Sequence, residues 1–191
     1  MSLSLRSVIF GVVFTVLFAG VLSSQPETSL CKFNSLPSDI QGRLKKEFGS
    51  WKVQEPENLS ASARKTWGGE HAPGCRGIAV GAFQNAKTPA YALLLVPTDH
   101  PDSGYRFLVF SRKVGQSSYE MTVVEKSDEQ GASNYFVRKV PIRNFLSEES
   151  KTRFQVKANE AILKVYSSDQ EYESDIYFWS NGHYRQEPVD F

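Results

Sequence analysis

Residues 81–95 read GAFQNAKTPAYALLL, and this stretch decides how the rest of the chain is interpreted. It contains the end of one apolar run and the beginning of another, separated by a polar segment that includes Pro89. Short apolar runs that alternate with turn residues are typical of antiparallel strands joined by tight connections. We therefore predict a β-hairpin, in which Gly81 and Phe83 end the first strand and Tyr91 begins the second.

The hairpin residues also resemble one repeat of the FG-GAP or VCBS-like families. In such a repeat, a calcium-binding loop of the form G-D-F-D-G-N-G-x-P-D precedes an aromatic position and an aliphatic strand. Gly81, Phe83, Pro89, Tyr91 and the leucines at 93–95 fit that frame. The resemblance implies a β-turn-β scaffold over about fifteen residues of an exported bacterial-type domain. Because it occurs only once, it does not indicate a multi-bladed propeller.

The liganding acids of that family are missing from this chain. Their positions fall on Ala82, Gln84, Ala86 and Ala90. Calcium binds about six to eight oxygen ligands, several of them carboxylates, because a dication must replace its hydration shell with comparable charge. We therefore expect a plain hairpin turn, with no metal and no other cofactor.

Similar apolar runs continue through the rest of the chain and predict further strands. Turn residues separate the runs, such as Pro101 and Gly104 in one connection and Gly131 in another. Asn181 and Gly182 favour the positive φ angles of a type I′ turn in the last hairpin. The predicted strands are 77–83, 91–96, 105–112, 119–125, 135–140, 161–166, 175–180 and 183–189.

One helix is predicted ahead of these strands, at Pro37–Phe48, because Ile40 and Leu44 recur at four-residue spacing. Ser60–Trp67 and Ser147–Arg153 are weaker candidates for a helical turn. The pattern as a whole predicts an α+β fold. It is mainly an antiparallel β meander of about seven or eight strands, with the N-terminal helix packed on it.

Aromatic side chains are concentrated on or beside the predicted strands. Strands this apolar bury most of their side chains, so we expect most of the aromatic residues to build the core. The alternative is an exposed aromatic stripe that binds carbohydrate or a partner protein. The residues concerned are Tyr105, Phe107, Phe110, Tyr135, Phe136, Tyr177, Phe178, Trp179 and Tyr184.

The N-terminus has the features of a secretory signal peptide. Residues 8–22 are almost wholly apolar, and this core is shorter than the roughly twenty residues of a membrane-spanning helix. We predict a signal peptide at 1–24, a polar leader at 25–35 and a single globular β-rich domain at 36–191. The protein would then be periplasmic or extracellular. An uncleaved N-terminal anchor that tethers it to the membrane is the alternative.

The charge balance excludes several classes of partner. Removal of residues 1–24 takes away Arg6 and no acid, which leaves 21 Lys plus Arg against 21 Asp plus Glu. A chain without excess positive charge has no electrostatic basis for binding a phosphate backbone. We therefore expect no nucleic-acid partner and, after signal cleavage, no membrane partner.

The two cysteines both follow the predicted signal peptide. An even number of cysteines in an exported chain favours a disulfide, and we predict one bond between Cys31 and Cys75. The bond would tie the N-terminal helix to the sheet. A redox or nucleophilic cysteine is the alternative, but the C-x-x-C spacing of redox motifs is missing.

No catalytic motif is found in the sequence. His71, His100 and His183 do not have the spacing of metal ligands, and the acid and histidine cluster at 99–102 has the composition of a solvated turn. We therefore expect no catalytic, cofactor-binding or metal-binding residues, although dispersed carboxylates of the glycosidase kind converge only in space.

Three functions remain open on these grounds. The first is an exported non-enzymatic domain that binds a protein or glycan partner, as an inhibitor or an envelope accessory factor. The second is a hydrolase of envelope or extracellular polymer with dispersed carboxylates, and the third is a structural envelope component. An exposed apolar or aromatic surface would favour the first, and a deep acidic cleft the second.

Overall fold

The computed structural model describes residues 33–68, 75–112 and 115–189. These residues form an α+β fold with nine antiparallel strands and three α-helices, which confirms the predicted fold class. The helices are α1 (Ser38–Glu47), α2 (Ala61–Trp67) and α3 (Glu148–Arg153). The strands are β1 (Trp51–Val53), β2 (Ile78–Gly81), β3 (Ala90–Pro97), β4 (Tyr105–Ser111), β5 (Glu120–Ser127), β6 (Tyr135–Pro141), β7 (Glu160–Ser167), β8 (Tyr172–Ser180) and β9 (His183–Pro188).

The strands divide into two sheets, whereas the sequence predicted one meander. The first sheet has the order β1-β3-β4-β5, with β2 also paired to β3, and the second has the order β6-β7-β8-β9. All eight predicted strands are present, and β1 is the additional one. It contains only three residues, too few for an alternating pattern to identify it.

The molecule is a sandwich of four layers. Along β3, Ala92, Leu94 and Val96 face the second sheet, while Leu93 and Leu95 face α1. Because successive side chains of a strand point to opposite faces, one strand serves two cores. A third core lies between the second sheet and the segments that carry α2 and α3. The layer order is therefore α1, first sheet, second sheet, and α2 with α3.

The starts of α2 and α3 follow from capping residues. The Ser60 hydroxyl accepts a hydrogen bond from the Ala63 amide at the start of α2, and the Ser147 hydroxyl accepts one from Ser150 at the start of α3. Gly68 ends α2 in the left-handed conformation, with φ of 109°. The two weaker helix predictions are thus confirmed, as is the N-terminal helix.

The final hairpin has the predicted turn. Asn181 and Gly182 have φ angles of 49° and 89°, as a type I′ turn requires at both central positions. The turn places Ser180 opposite His183, and all of β9 pairs with residues 175–180 of β8.

Several predictions fall outside the described residues. The signal peptide, the leader up to residue 32 and Cys31 are among them, so the Cys31–Cys75 bond stays a prediction. Cys75 itself is buried in the core between α1 and the first sheet. None of the helices in the described part of the chain is long and apolar enough to cross a membrane.

Candidate functional site

The loop of the 81–95 hairpin is closed by hydrogen bonds between uncharged groups. The side-chain oxygen of Asn85 accepts from the amides of Lys87 and Thr88 at 2.9 and 3.1 Å, and its amide group donates to the Thr88 hydroxyl at 2.8 Å. That hydroxyl also donates to the Arg112 carbonyl. Within the described residues there is no group of three or more His, Cys, Asp or Glu placed to hold a metal ion. The loop shapes a hairpin.

The same hairpin is attached to the second sheet through Glu160. One carboxylate oxygen of Glu160 accepts the Ala82 amide at 2.7 Å, and the other lies 3.1 Å from the ammonium of Lys139. A Cβ atom at Gly81 would lie 2.6 Å from the Phe83 ring and 2.9 Å from Glu160. Gly81 therefore allows the backbone to approach Glu160 closely.

We expect Gly81→Ala to lower the free energy of unfolding by about 1–3 kcal/mol, because the added methyl overpacks a filled contact. Urea denaturation measures the loss. Gly42→Ala in α1 is the matched control, since nothing lies within 4 Å of its Cβ position. Ala is favoured over Gly inside a helix by about 1 kcal/mol, so this variant should be neutral or stabilised. Equal stability of the two variants would contradict the expectation.

His100 and His183, the two histidines within the described residues, are exposed, as are Asp99 and Asp102 of the acidic turn. His100 lies in an exposed turn between β3 and β4, where its carbonyl accepts from the Ser103 amide and hydroxyl. His183 is exposed at the start of β9, and His71 lies outside the described residues. The cluster at 99–102 is thus a solvated turn, as predicted.

An acid and an amine meet between the two sheets, and sequence reasoning did not identify either of them. Phe107 of β4 pairs with Glu125 of β5, but Leu108 pairs with Val123, so Val124 is an extra residue in a β-bulge. Val124 packs on the core between the sheets, and the Glu125 side chain points the same way. Only a bulge directs two consecutive side chains to one face, so the bulge is what turns Glu125 inward.

The Glu125 carboxylate accepts three hydrogen bonds. One oxygen accepts from the Tyr105 hydroxyl. The other accepts from the Tyr177 hydroxyl at 2.5 Å and from the Lys164 ammonium at 2.5 Å. Tyr105 and Glu125 belong to the first sheet, whereas Lys164 and Tyr177 belong to the second. The carboxylate therefore links the sheets directly.

Lys164 is held in a cage of aromatic rings. Its ammonium lies 5.6, 4.9 and 5.7 Å from the ring centroids of Tyr105, Tyr135 and Tyr177. Only 4% of the lysine side chain is exposed, against 27% for that of Glu125. Cation–π contacts favour an ammonium at such distances, and the carboxylate supplies its counter-charge.

The pKa values in this cluster are shifted by burial and by the shared hydrogen bonds. Burial would raise the pKa of Glu125, but hydrogen bonds from Lys164, Tyr105 and Tyr177 outweigh it and lower that pKa below its usual value. Burial, together with the Glu125 charge, raises the pKa of Tyr105 and of Tyr177 well above that of a free phenol. Both phenols therefore stay protonated and remain donors.

A second feature is an apolar pocket between α1 and β1. Its volume is about 190 Å³, and Leu44, Phe48, Trp51, Val53 and Leu95 form most of its wall. The remaining lining residues are Phe33, Lys45, Gly49 and Lys52. The two lysines provide the only charges among these lining residues.

A third feature is a polar cleft between α2 and the turn that joins β7 to β8. Its volume is about 460 Å³, and its wall includes Lys65, Thr66 and Asp169. Thr66 and Ser167 share a hydrogen bond of 2.7 Å between their hydroxyls. Tyr172 lines the same cleft with 47% of its surface exposed.

The aromatic residues singled out from the sequence are mostly in the core. Six of the nine are buried, and Tyr135, Trp179 and Tyr184 are half-buried. No broad aromatic stripe is exposed on the described surface, where Val123 and Tyr172 are the exposed large apolar side chains. The core interpretation is confirmed.

Comparisons with family models, with curated proteins and with solved structures found no match to this chain. The FG-GAP-like resemblance accordingly stays a prediction from residues 81–95.

Proposed function

We propose that this protein is an exported, non-enzymatic domain that binds a protein partner through the pocket between α1 and β1. The observation that carries the proposal is the combination of an apolar wall with two lysines in one concave site. Binding sites are commonly concave and mostly apolar, with a few polar groups that fix orientation. Together these features favour recognition of an apolar side chain that has an anionic neighbour.

The volume of the pocket suits one large side chain. A dry cavity of about 150 Å³ accepts a benzene ring, so about 190 Å³ accommodates a phenylalanine or leucine side chain. Such buried anchors supply most of the affinity in protein interfaces. The partner would insert one apolar residue between Phe48 and Trp51.

The charges at the pocket favour an acidic neighbour on that anchor. The ammonium of Lys45 lies 5.7 Å from the centroid of the Phe33 ring. The ammonium of Lys52 lies 3.8 Å from Glu55 and donates to the Asn58 side chain at 3.4 Å, but the ion pair is partly exposed, at 35% and 52%, and therefore weak. Both lysines remain able to attract a carboxylate on the partner.

N-acetyl-phenylalanine, which presents an aromatic ring beside a carboxylate, is the direct probe. We expect it to cause saturable NMR shifts at Leu44, Phe48 and Val53, and to bind more tightly than its neutral carboxamide. Replacing both lysines with glutamine should weaken binding of the acid about three- to tenfold, as expected for two exposed charge contacts. Lys87→Gln, in the exposed turn at the other end of β3, is the matched control and should have no effect.

Two results would contradict this proposal. One is the absence of saturable shifts at the pocket, and the other is equal binding of the acid and the carboxamide. Affinity capture from envelope extract then identifies the natural partner, and the double lysine variant should lose it while Lys87→Gln retains it.

A glycan is the second candidate partner, and the polar cleft favours it. Sugars bind through hydroxyl and carboxylate groups beside an aromatic face, and Tyr172 places such a face at a cleft lined by Asp169 and Thr66. Soluble oligosaccharides added in the same NMR titration would then shift residues 167–172 and leave the pocket unchanged.

Export and the disulfide remain part of this proposal, on sequence grounds. Cleavage after residue 24 sets the mass of the mature chain. A bond between Cys31 and Cys75 lowers that mass by two hydrogens. The intact mass of the exported protein, measured with and without reductant, tests the two together. If the disulfide is present, reduction raises the mass of the chain by two hydrogens.

A further inference from the structure

Lys164 and Glu125 form a buried amine and acid pair that joins the two sheets. Their reacting groups are held at 2.5 Å, from the lysine nitrogen to one carboxylate oxygen. We propose that this pair condenses into an intramolecular amide, so that a covalent bond connects β5 to β7. This inference is independent of the partner-binding proposal.

The condensation needs no reagent beyond the two side chains. The hydrogen bonds favour the ionised pair, so the reaction proceeds through its minor neutral form, in which the Lys164 ammonium has returned a proton to the carboxylate and left an amine beside a carboxylic acid. The nitrogen lone pair then attacks the Glu125 carboxyl carbon, a C–N bond forms and one C–O bond breaks. Two of the three ammonium protons leave with that oxygen as one water molecule. An ammonium and a carboxylate therefore become one amide and one water, with no oxidant or reductant.

The fold supplies the proximity that such a reaction requires, because the Lys164 nitrogen is held in contact with the Glu125 carboxylate. Holding two reactants at contact distance replaces a bimolecular encounter and gives effective molarities of about 10⁵–10⁸ M in favourable cases. Glu125 and Lys164 lie on different sheets, and each strand is held by pairing with its neighbour. The two strands therefore lose little conformational freedom when the side chains react. The bulge at Val124 is what brings the acid into reach.

Two phenols stabilise the charge that develops during attack. Tyr105 donates to one oxygen of Glu125 and Tyr177 donates to the other. The tetrahedral intermediate places negative charge on those oxygens, and fixed donors lower its energy in this partly buried site. Because both phenols stay protonated, they act as hydrogen-bond donors, and the protons of the departing water come from the Lys164 nitrogen.

Burial favours the amide over the ion pair. A buried ion pair retains the cost of removing two charges from water, whereas an amide carries no net charge. The amide nitrogen would come from Lys164, which is only 4% exposed, and the carbonyl from Glu125, which is 27% exposed, so water can reach the bond only from the Glu125 side. The Lys139–Glu160 pair has a similar separation of 3.1 Å, but its lysine is about half exposed. We expect that pair to stay ionic.

The test is the intact mass of the folded, exported protein after reduction. We expect the chain to be lighter than its sequence mass by one water, about 18 Da. Trypsin should not cleave after Lys164 in the linked chain. The digest should contain residues 114–126 joined to residues 158–185, and fragmentation should place the link on Glu125 and Lys164.

Two variants separate this bond from any other loss of water. Lys164→Met removes the nucleophile and should restore the full sequence mass, whereas Lys139→Met should keep the loss of about 18 Da. A wild-type chain at its full sequence mass, with cleavage after Lys164, would overturn the proposal. That measurement needs no variant, so it decides the matter even if Lys164→Met does not fold.

Discussion

Glu125→Ala is expected to lower the free energy of unfolding by at least about 3 kcal/mol, because it leaves the Lys164 ammonium buried without a carboxylate. The three tyrosine rings around Lys164 still attract the ammonium, but a cation–π contact is worth only about 1–2 kcal/mol. The variant also removes the acceptor of the Tyr105 and Tyr177 hydroxyls. Unsatisfied buried donors add to the loss.

Urea denaturation of Glu125→Ala measures this loss, and Glu47→Ala is the control. Glu47 pairs with Arg43 at 2.8 Å on the exposed side of α1, and surface pairs of this kind contribute about 0.3–0.5 kcal/mol. The double variant Glu125→Met with Lys164→Met should be more stable than Glu125→Ala, because no buried charge remains. A loss below about 1 kcal/mol for Glu125→Ala would show that water or another group replaces the carboxylate.

Short-range patterns predicted the strands of this fold, but they could not predict its layers. Apolar runs separated by Gly and Pro identified eight strands, and Asn181-Gly182 identified the last turn correctly. The division into two sheets depends on pairing between residues distant in sequence, such as Trp51 with Pro97. A single sequence carries no direct signal for such pairing.

The cluster at Glu125 illustrates what the sequence conceals. Lys164 interrupts an otherwise apolar strand, I-L-K-V-Y at 162–166, and a charge in such a strand signals a buried position that needs a partner. That signal was present. Nothing comparable marks Glu125, because its inward orientation depends on a bulge whose location follows from strand pairing.

The apolar pocket is hidden for a related reason. Leu44 belongs to the four-residue spacing that predicted a helix packed on the sheet, and Phe48 is the last residue of that predicted helix. Their spacing does not show whether the contact is filled. The space between them depends on how far α1 lies from β1, which tertiary packing sets.

Phe107→Ala is expected to cost about 3–5 kcal/mol, because it removes a large side chain from the centre of the sandwich. Phe107 is fully buried on β4, where it lies opposite Leu94 and Glu125 in the sheet. Its ring meets Tyr177 edge to face, with centroids 5.1 Å apart and planes at 80°. The lower free energy of unfolding therefore has three sources. The variant no longer buries the ring away from water, a cavity remains between the two sheets, and an aromatic contact is lost.

Val123→Ala on the neighbouring strand is the control for Phe107→Ala. Val123 belongs to the same sheet but is 48% exposed, so its loss should stay within about 0.5 kcal/mol. A Phe107→Ala loss near that of the control would mean that the sheets close over the cavity.

Combining Phe107→Ala with Glu125→Ala tests whether the aromatic layer and the charged cluster form one unit. Phe107 contacts the ring of Tyr177, and the hydroxyl of Tyr177 donates to Glu125. Removing the phenylalanine should loosen the tyrosine that holds the carboxylate, so the two losses should not add. A coupling energy above about 0.5 kcal/mol is expected for residues that share a partner. Additive losses would mean that the tyrosine is positioned by the second sheet alone.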